Sequence, residues 1–138
     1  MKNLLILTGI FESLTGIFLL ISPSLPVSIL FDSSVDSTTG LLVGRVAGAA
    51  LFSLGVACWL ARNDEKSRAA TGIIIAMLLY NITALAILIY AGLIIHQSGM
   101  GLWPAVAIHV MLIAGCVMSI KDKNKIAGKT SLRASTKM

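Results

Sequence analysis

The chain has 138 residues, 57% of them apolar and only 12% charged, with a mean hydropathy of +0.91 and a formal net charge of +5. Soluble domains carry roughly 25% charged residues and about 45–50% apolar ones, so this composition belongs to the bilayer class and excludes a water-soluble enzyme. Eleven bases against six acids would also suit a nucleic-acid-binding protein, and the positions of those charges decide the matter.

A helix that crosses the roughly 30 Å hydrocarbon core needs about 20 mostly apolar residues at ~1.5 Å of rise each. Four stretches qualify, at about 4–22, 40–61, 69–95 and 103–120. The expected fold is all-α: a polytopic membrane protein in which residues 1–120 form an antiparallel four-transmembrane-helix bundle. Nothing is left over for a soluble domain, so any function must sit in the helices, their short loops or the tail.

The first span follows Met1-Lys2 and could be mistaken for a secretory signal. It is too long for the apolar region of a signal peptide, holds Glu12 at its centre, and runs into Ser22-Pro23-Ser24-Leu25-Pro26 without a small-x-small cleavage site. It reads as a retained helix. The heptad Leu7-Thr8-Gly9-Ile10-Phe11, repeated as Leu14-Thr15-Gly16-Ile17-Phe18, puts Gly9 and Gly16 on nearly one face, as a helix-packing seam requires. The apolar run at about 25–31 is too short to span and fits an interfacial or re-entrant segment introduced by Pro23 and Pro26.

The second span carries Gly40, Gly44 and Gly48 at four-residue spacing, extended by Ala49, Ala50 and Gly55. Small residues so placed let another backbone approach closely, the gain being van der Waals contact and weak Cα–H bonds. The partner is either another helix of the chain or a second copy, and a homo-oligomer is favoured for so few spans. Trp103 and Tyr90 near one interface and Trp59 near the other suit amphipathic anchors.

Orientation follows from Lys and Arg, which are retained on the cytoplasmic side. Lys2, the second loop (Arg62, Lys66, Arg68) and the tail (Lys121, Lys123, Lys125, Lys129, Arg133, Lys137) fall on one side, whereas the other two loops hold none. Both termini are therefore expected in the cytoplasm. Residues 121–138 contain six bases and one acid, and the rest of the chain is neutral, so the net charge belongs to the tail. Without hydrophobic periodicity that tail reads as a disordered cytoplasmic segment attracted to anionic lipid headgroups, and no nucleic-acid partner is expected.

Polar residues inside the spans are the candidates for function, because an ionised group at the bilayer centre costs about 2.5–3.5 kcal/mol on insertion scales. Glu12 lies at the middle of the first helix and Arg45 roughly 9 Å from the midplane of the second. Asn81 is central in the third, preceded by Tyr80, and His109 lies near the centre of the fourth. If their faces agree, Glu12, Arg45, Asn81 and His109, with Tyr80 beside them, form one buried network that holds a proton, ion or small ligand. The alternative is a Glu12–Arg45 pair that only sets helix register, or an Arg45 that snorkels to the headgroups and leaves Glu12 as a neutral acid.

No catalytic residue, metal site or cofactor is expected. Cys58 and Cys116 lack a CxxC spacing and read as packing residues. His109 has no second strong ligand for a haem, since His96 falls at the end of the third span. The glycine patterns lie within apolar helices, and no nucleophile elbow, HExxH pair or phosphate loop occurs.

The segment Gly40-Leu-Leu-Val-Gly-Arg45-Val-Ala-Gly-Ala-Ala50, with Cys58-Trp59-Leu60-Ala61-Arg62, Tyr80-Asn81 and Leu102-Trp103-Pro104 before His109, resembles a group of small, functionally uncharacterised bacterial four-helix membrane proteins. The resemblance implies a bacterial inner (cytoplasmic) membrane and no substrate. The function expected first is a non-enzymatic subunit packing against copies of itself or a larger membrane complex. The second is a small transporter or channel for a proton, ion or solute, and the third a haem- or quinone-binding redox protein.

Overall fold

The computed structural model describes residues 1–64 and 67–135, with side chains described as far as Lys123 and for Lys125. Lys66 and Lys137, counted above for orientation, lie outside the described residues.

The chain is all-α, with α1 Lys2–Ile21, α2 Ser24–Phe31, α3 Thr38–Ala61, α4 Arg68–Leu93 and α5 Leu102–Ser135. Four of these, α1, α3, α4 and the first part of α5, are long and apolar enough to cross a membrane. The ends are set by local chemistry. Ser37 and Ser67 accept hydrogen bonds from the amides of Gly40 (3.1 Å) and Ala70 (3.0 Å), so each closes one orphan donor at a helix start. Pro104 falls in the first turn of α5, where its missing N–H costs nothing. The short apolar run forms α2, which ends on Asp32 in the left-handed conformation (φ 51°), a position that Asp tolerates better than most residues.

α1 runs antiparallel to α3 and α4 antiparallel to α5, and these are the two most extensive helix pairs. The α1 face that turns inward, Leu5, Thr8, Gly9, Glu12 and Gly16, follows helical spacing, as does the α4 face of Ala70, Ile74, Met77, Asn81, Leu88 and Ala91. The two pairs meet in a buried layer made by Leu5, Cys58, Ile74, Met77 and Cys116, to which all four long helices contribute. Both cysteines are free thiols packed in this layer, as small apolar residues would be.

The surface is the inverse of a soluble protein's. Leu7, Leu14, Val43, Val46, Leu60, Leu79, Ile82, Val110 and Met111 point outward, while Thr8, Glu12, Asn81 and His109 are buried. An apolar exterior around a few polar groups is what a hydrocarbon solvent demands. Trp59, Tyr90 and Trp103 are exposed, in keeping with their reading as anchors, and the Arg62 guanidinium lies 4.2 Å above the Trp59 ring.

One segment departs from expectation. The sequence reading ends the last helix at Ile120 and treats 121–138 as disordered, whereas α5 continues unbroken to Ser135. Extending a helix already nucleated adds one hydrogen bond per residue fixed, so Lys, Ala, Leu and Arg can prolong it without an apolar stripe. The extension is also tied down: Lys123 Nζ donates to the Ser67 carbonyl (2.9 Å) and to Thr71 Oγ1, joining α5 to the start of α4.

Candidate functional site

The glycines fall into two groups. Gly9 faces Gly55 and Gly16 faces Gly48 across the α1–α3 contact. A Cβ on Gly16 would lie 2.7 Å from the Gly48 carbonyl oxygen, and one on Gly48 would lie 2.8 Å from that of Gly16. Atoms essentially never approach so closely, and the obstacle is backbone, so only glycine fits. The seam is a heptad on both helices, 9 and 16 against 55 and 48, and not the four-residue repeat. Gly44 instead packs on Pro23 at the α1–α2 turn, and Gly40 lies beside Val35 and Ser37. The face expected to favour a second copy is therefore occupied by the chain's own α1.

The four polar residues do not converge as one network. Asn81 and His109 do meet: both are buried, and His109 Nδ1 lies 2.8 Å from Asn81 Oδ1. Asn81 Nδ2 donates to the Met77 carbonyl at 2.7 Å. A carbonyl only accepts, so this bond fixes which end of the amide is nitrogen, and Oδ1 must accept from Nδ1–H of the histidine. In the neutral ring the lone pair then resides on Nε2. That atom has no hydrogen-bond partner among the described residues and is not sealed from the surroundings. Tyr80 sits edge-on to the imidazole, with ring centroids 6.1 Å apart and planes at 68°.

Glu12 is fully buried, yet neither carboxylate oxygen has a hydrogen-bond partner, and the same holds for Thr8 Oγ1 one turn away. Cys58 and Tyr80 lie within electrostatic reach of Glu12. Arg45 is not its partner. It is exposed on α3, one residue and hence about 100° from Gly44, whose face is held against the α1–α2 turn. The expected Glu12–Arg45 pair is thus absent.

The feature that sequence reasoning missed is a cavity of about 560 Å³ between α1 and α4, roofed by α2. Phe11, Phe18, Ile29, Leu88, Tyr80 and His109 are among its lining residues. The hydroxyls of Thr15 and Thr83, also in the wall, are donated to the carbonyls of Phe11 (2.9 Å) and Leu79 (3.0 Å) of their own helices. Of the other polar lining residues, His109 and Tyr80, Nε2 of the histidine and the tyrosine hydroxyl have no hydrogen-bond partner among the described residues. Phe18, Leu25, Ile29 and Ile87 line it and are also exposed, so the cavity opens sideways between α1 and α4. Its size and apolar walls with few polar groups are those of small-molecule sites.

No group of three or more His, Cys, Asp or Glu side chains able to hold a metal occurs among the described residues. Comparison with protein-family models, curated proteins and solved structures finds no match for the chain.

Proposed function

We propose that the protein is a multi-pass protein of the bacterial cytoplasmic membrane, a four-helix antiparallel bundle with both termini in the cytoplasm, that binds a small, largely apolar molecule drawn from the bilayer. The observation that carries this reading is the cavity between α1 and α4, with apolar walls, a sideways mouth and the polar residues His109 and Tyr80 in its lining. A ligand dissolved in hydrocarbon can reach such a mouth without crossing water. Binding, rather than catalysis, is favoured because the wall's threonine hydroxyls are committed to backbone carbonyls and its other lining is almost entirely apolar.

The bilayer is the protein's principal partner, and the bases Lys121 and Lys125 on the α5 extension suit anionic headgroups at its cytoplasmic face. Self-association has lost the glycine seam as its support, since that seam is filled within the chain. A second reading, movement of a proton or small solute through the bundle, draws on the two unpartnered oxygens of Glu12.

The test is photolabelling with a diazirine-bearing hydrocarbon in lipid nanodiscs, followed by peptide mapping. Labels should concentrate on Phe18, Ile29 and Leu88 and disappear from them in Ala84→Trp, which fills the cavity. Labelling spread evenly over outward residues such as Leu79 and Val110, and unchanged in the variant, overturns the reading.

A further inference from the structure

We infer that the cavity selects a ligand with a hydroxyl head on an apolar chain, the hydroxyl donating to Nε2 of His109; this rests on the cavity being a binding site. The hydrogen bonds around Asn81 determine the head group. Asn81 Nδ2 is committed to the Met77 carbonyl, Oδ1 takes the Nδ1 proton of His109, and Nε2 is left as an acceptor on a ring that borders the cavity. Tyr80 also lines the cavity and lies edge-on to the imidazole.

An acceptor in apolar surroundings is matched by a group that donates. An alcohol or phenol does so without carrying a charge: its proton goes to Nε2. An ether, ester, ketone or quinone carbonyl only accepts and leaves Nε2 unmatched. An ammonium head also donates, but its charge is costly in an apolar cavity. The threonine hydroxyls in the wall donate to their own helices and have no proton left for a ligand. The remainder of the ligand faces Phe11, Phe18, Ile29 and Leu88, which offer only apolar contact.

This arrangement makes Asn81 a positioning residue. It touches no ligand and sets which imidazole nitrogen carries the proton, and so whether the site accepts or donates at that point.

The experiment uses the intact protein in nanodiscs and two competitors for the diazirine hydrocarbon, 1-dodecanol and dodecyl methyl ether, in which a methyl group replaces the hydroxyl proton. Dodecanol should displace the label at roughly tenfold lower concentration, the cost of leaving one buried polar atom unmatched. In protein labelled with ¹⁵N-histidine, with His96→Gln used for assignment, dodecanol should move the Nε2 resonance of His109 and leave Nδ1 in place. Equal displacement by the two competitors overturns the hydroxyl preference and leaves the cavity reading standing. Preference for the alcohol with a stationary Nε2 resonance overturns His109 as the acceptor. Displacement by neither overturns the binding reading, and this inference with it.

Discussion

Asn81 and His109 are locked together from one side only: the amide is held at both ends, by Met77 and by the imidazole, whereas the imidazole is held at Nδ1 alone. Replacing Asn81 by Leu removes the acceptor and leaves Nδ1–H unmatched in a buried position. The expected loss is about 1–3 kcal/mol of stability, read as a lower unfolding midpoint in detergent. The histidine ¹⁵N spectrum should change from one tautomer to a mixture. A variant with the parent midpoint and a single tautomer would show that Asn81 does not set the ring.

The glycine seam yields a prediction with an internal control. Gly16→Val and Gly48→Leu each force a side chain into backbone, so the cost should reach or exceed the roughly 1–3 kcal/mol usual for overpacking, because backbone cannot repack. Gly72 has open space where a Cβ would go, and Gly72→Ala should be neutral or stabilising by up to about 1 kcal/mol. Because the seam is internal, the mass of the detergent-solubilised particle should stay the same in Gly48→Leu material that remains folded. A shift to a smaller particle would instead place a second copy on that face.

Glu12 and Arg45 should behave as strangers. In a double-mutant cycle of Glu12→Gln and Arg45→Gln, measured by thermal unfolding, the coupling should be zero within error. Arg45→Gln alone should leave the midpoint where it was. Glu12→Met should raise the midpoint, since it removes a buried carboxyl that no neighbour satisfies. A lower midpoint in Glu12→Met would mean that the carboxyl has a partner in the membrane, such as ordered water.

Lys123 is the sole described tether between the α5 extension and the start of α4. Lys123→Met should cost about 0.5–1.5 kcal/mol and speed amide exchange beyond residue 121, with α4 above Thr71 unaffected. Unchanged exchange there would show that the extension is held by its own helical hydrogen bonds.

Position along the helices was legible from sequence, and azimuth was not. Hydropathy and length located the four long helices within a few residues, because each crossing is a separate requirement met by local composition. The heights of Asn81 and His109 were likewise readable, and they do meet. Arg45 lies at a readable height too, but its direction is set by Gly44 packing on Pro23, a tertiary contact that leaves no local trace. The partner of the glycine seam was hidden for the same reason. The four-residue spacing stood out, yet the heptad that pairs 9 and 16 with 55 and 48 decides the contact. The α5 extension escaped because its helicity needs no apolar stripe once the span below it has formed. The cavity is a space between helices distant in sequence, and only Thr8, four residues before Glu12, could have been added to the buried polar set by spacing alone.

The distribution of packing along the molecule has a mechanical consequence. The helix pairs are fastened together at one end, by the layer from Leu5 to Cys116, and are separated by the cavity at the other. That layer is a fulcrum, and a slight tilt of one pair on the other is magnified at Phe18 and Ile87. What bridges the far end is a latch of two main-chain bonds, from the amides of Gly99 and Gly101 in the α4–α5 loop to the carbonyls of Leu30 and Ile29 on α2, each 2.8 Å long. The amide protons of Gly99 and Gly101 therefore report directly on how often that latch breaks.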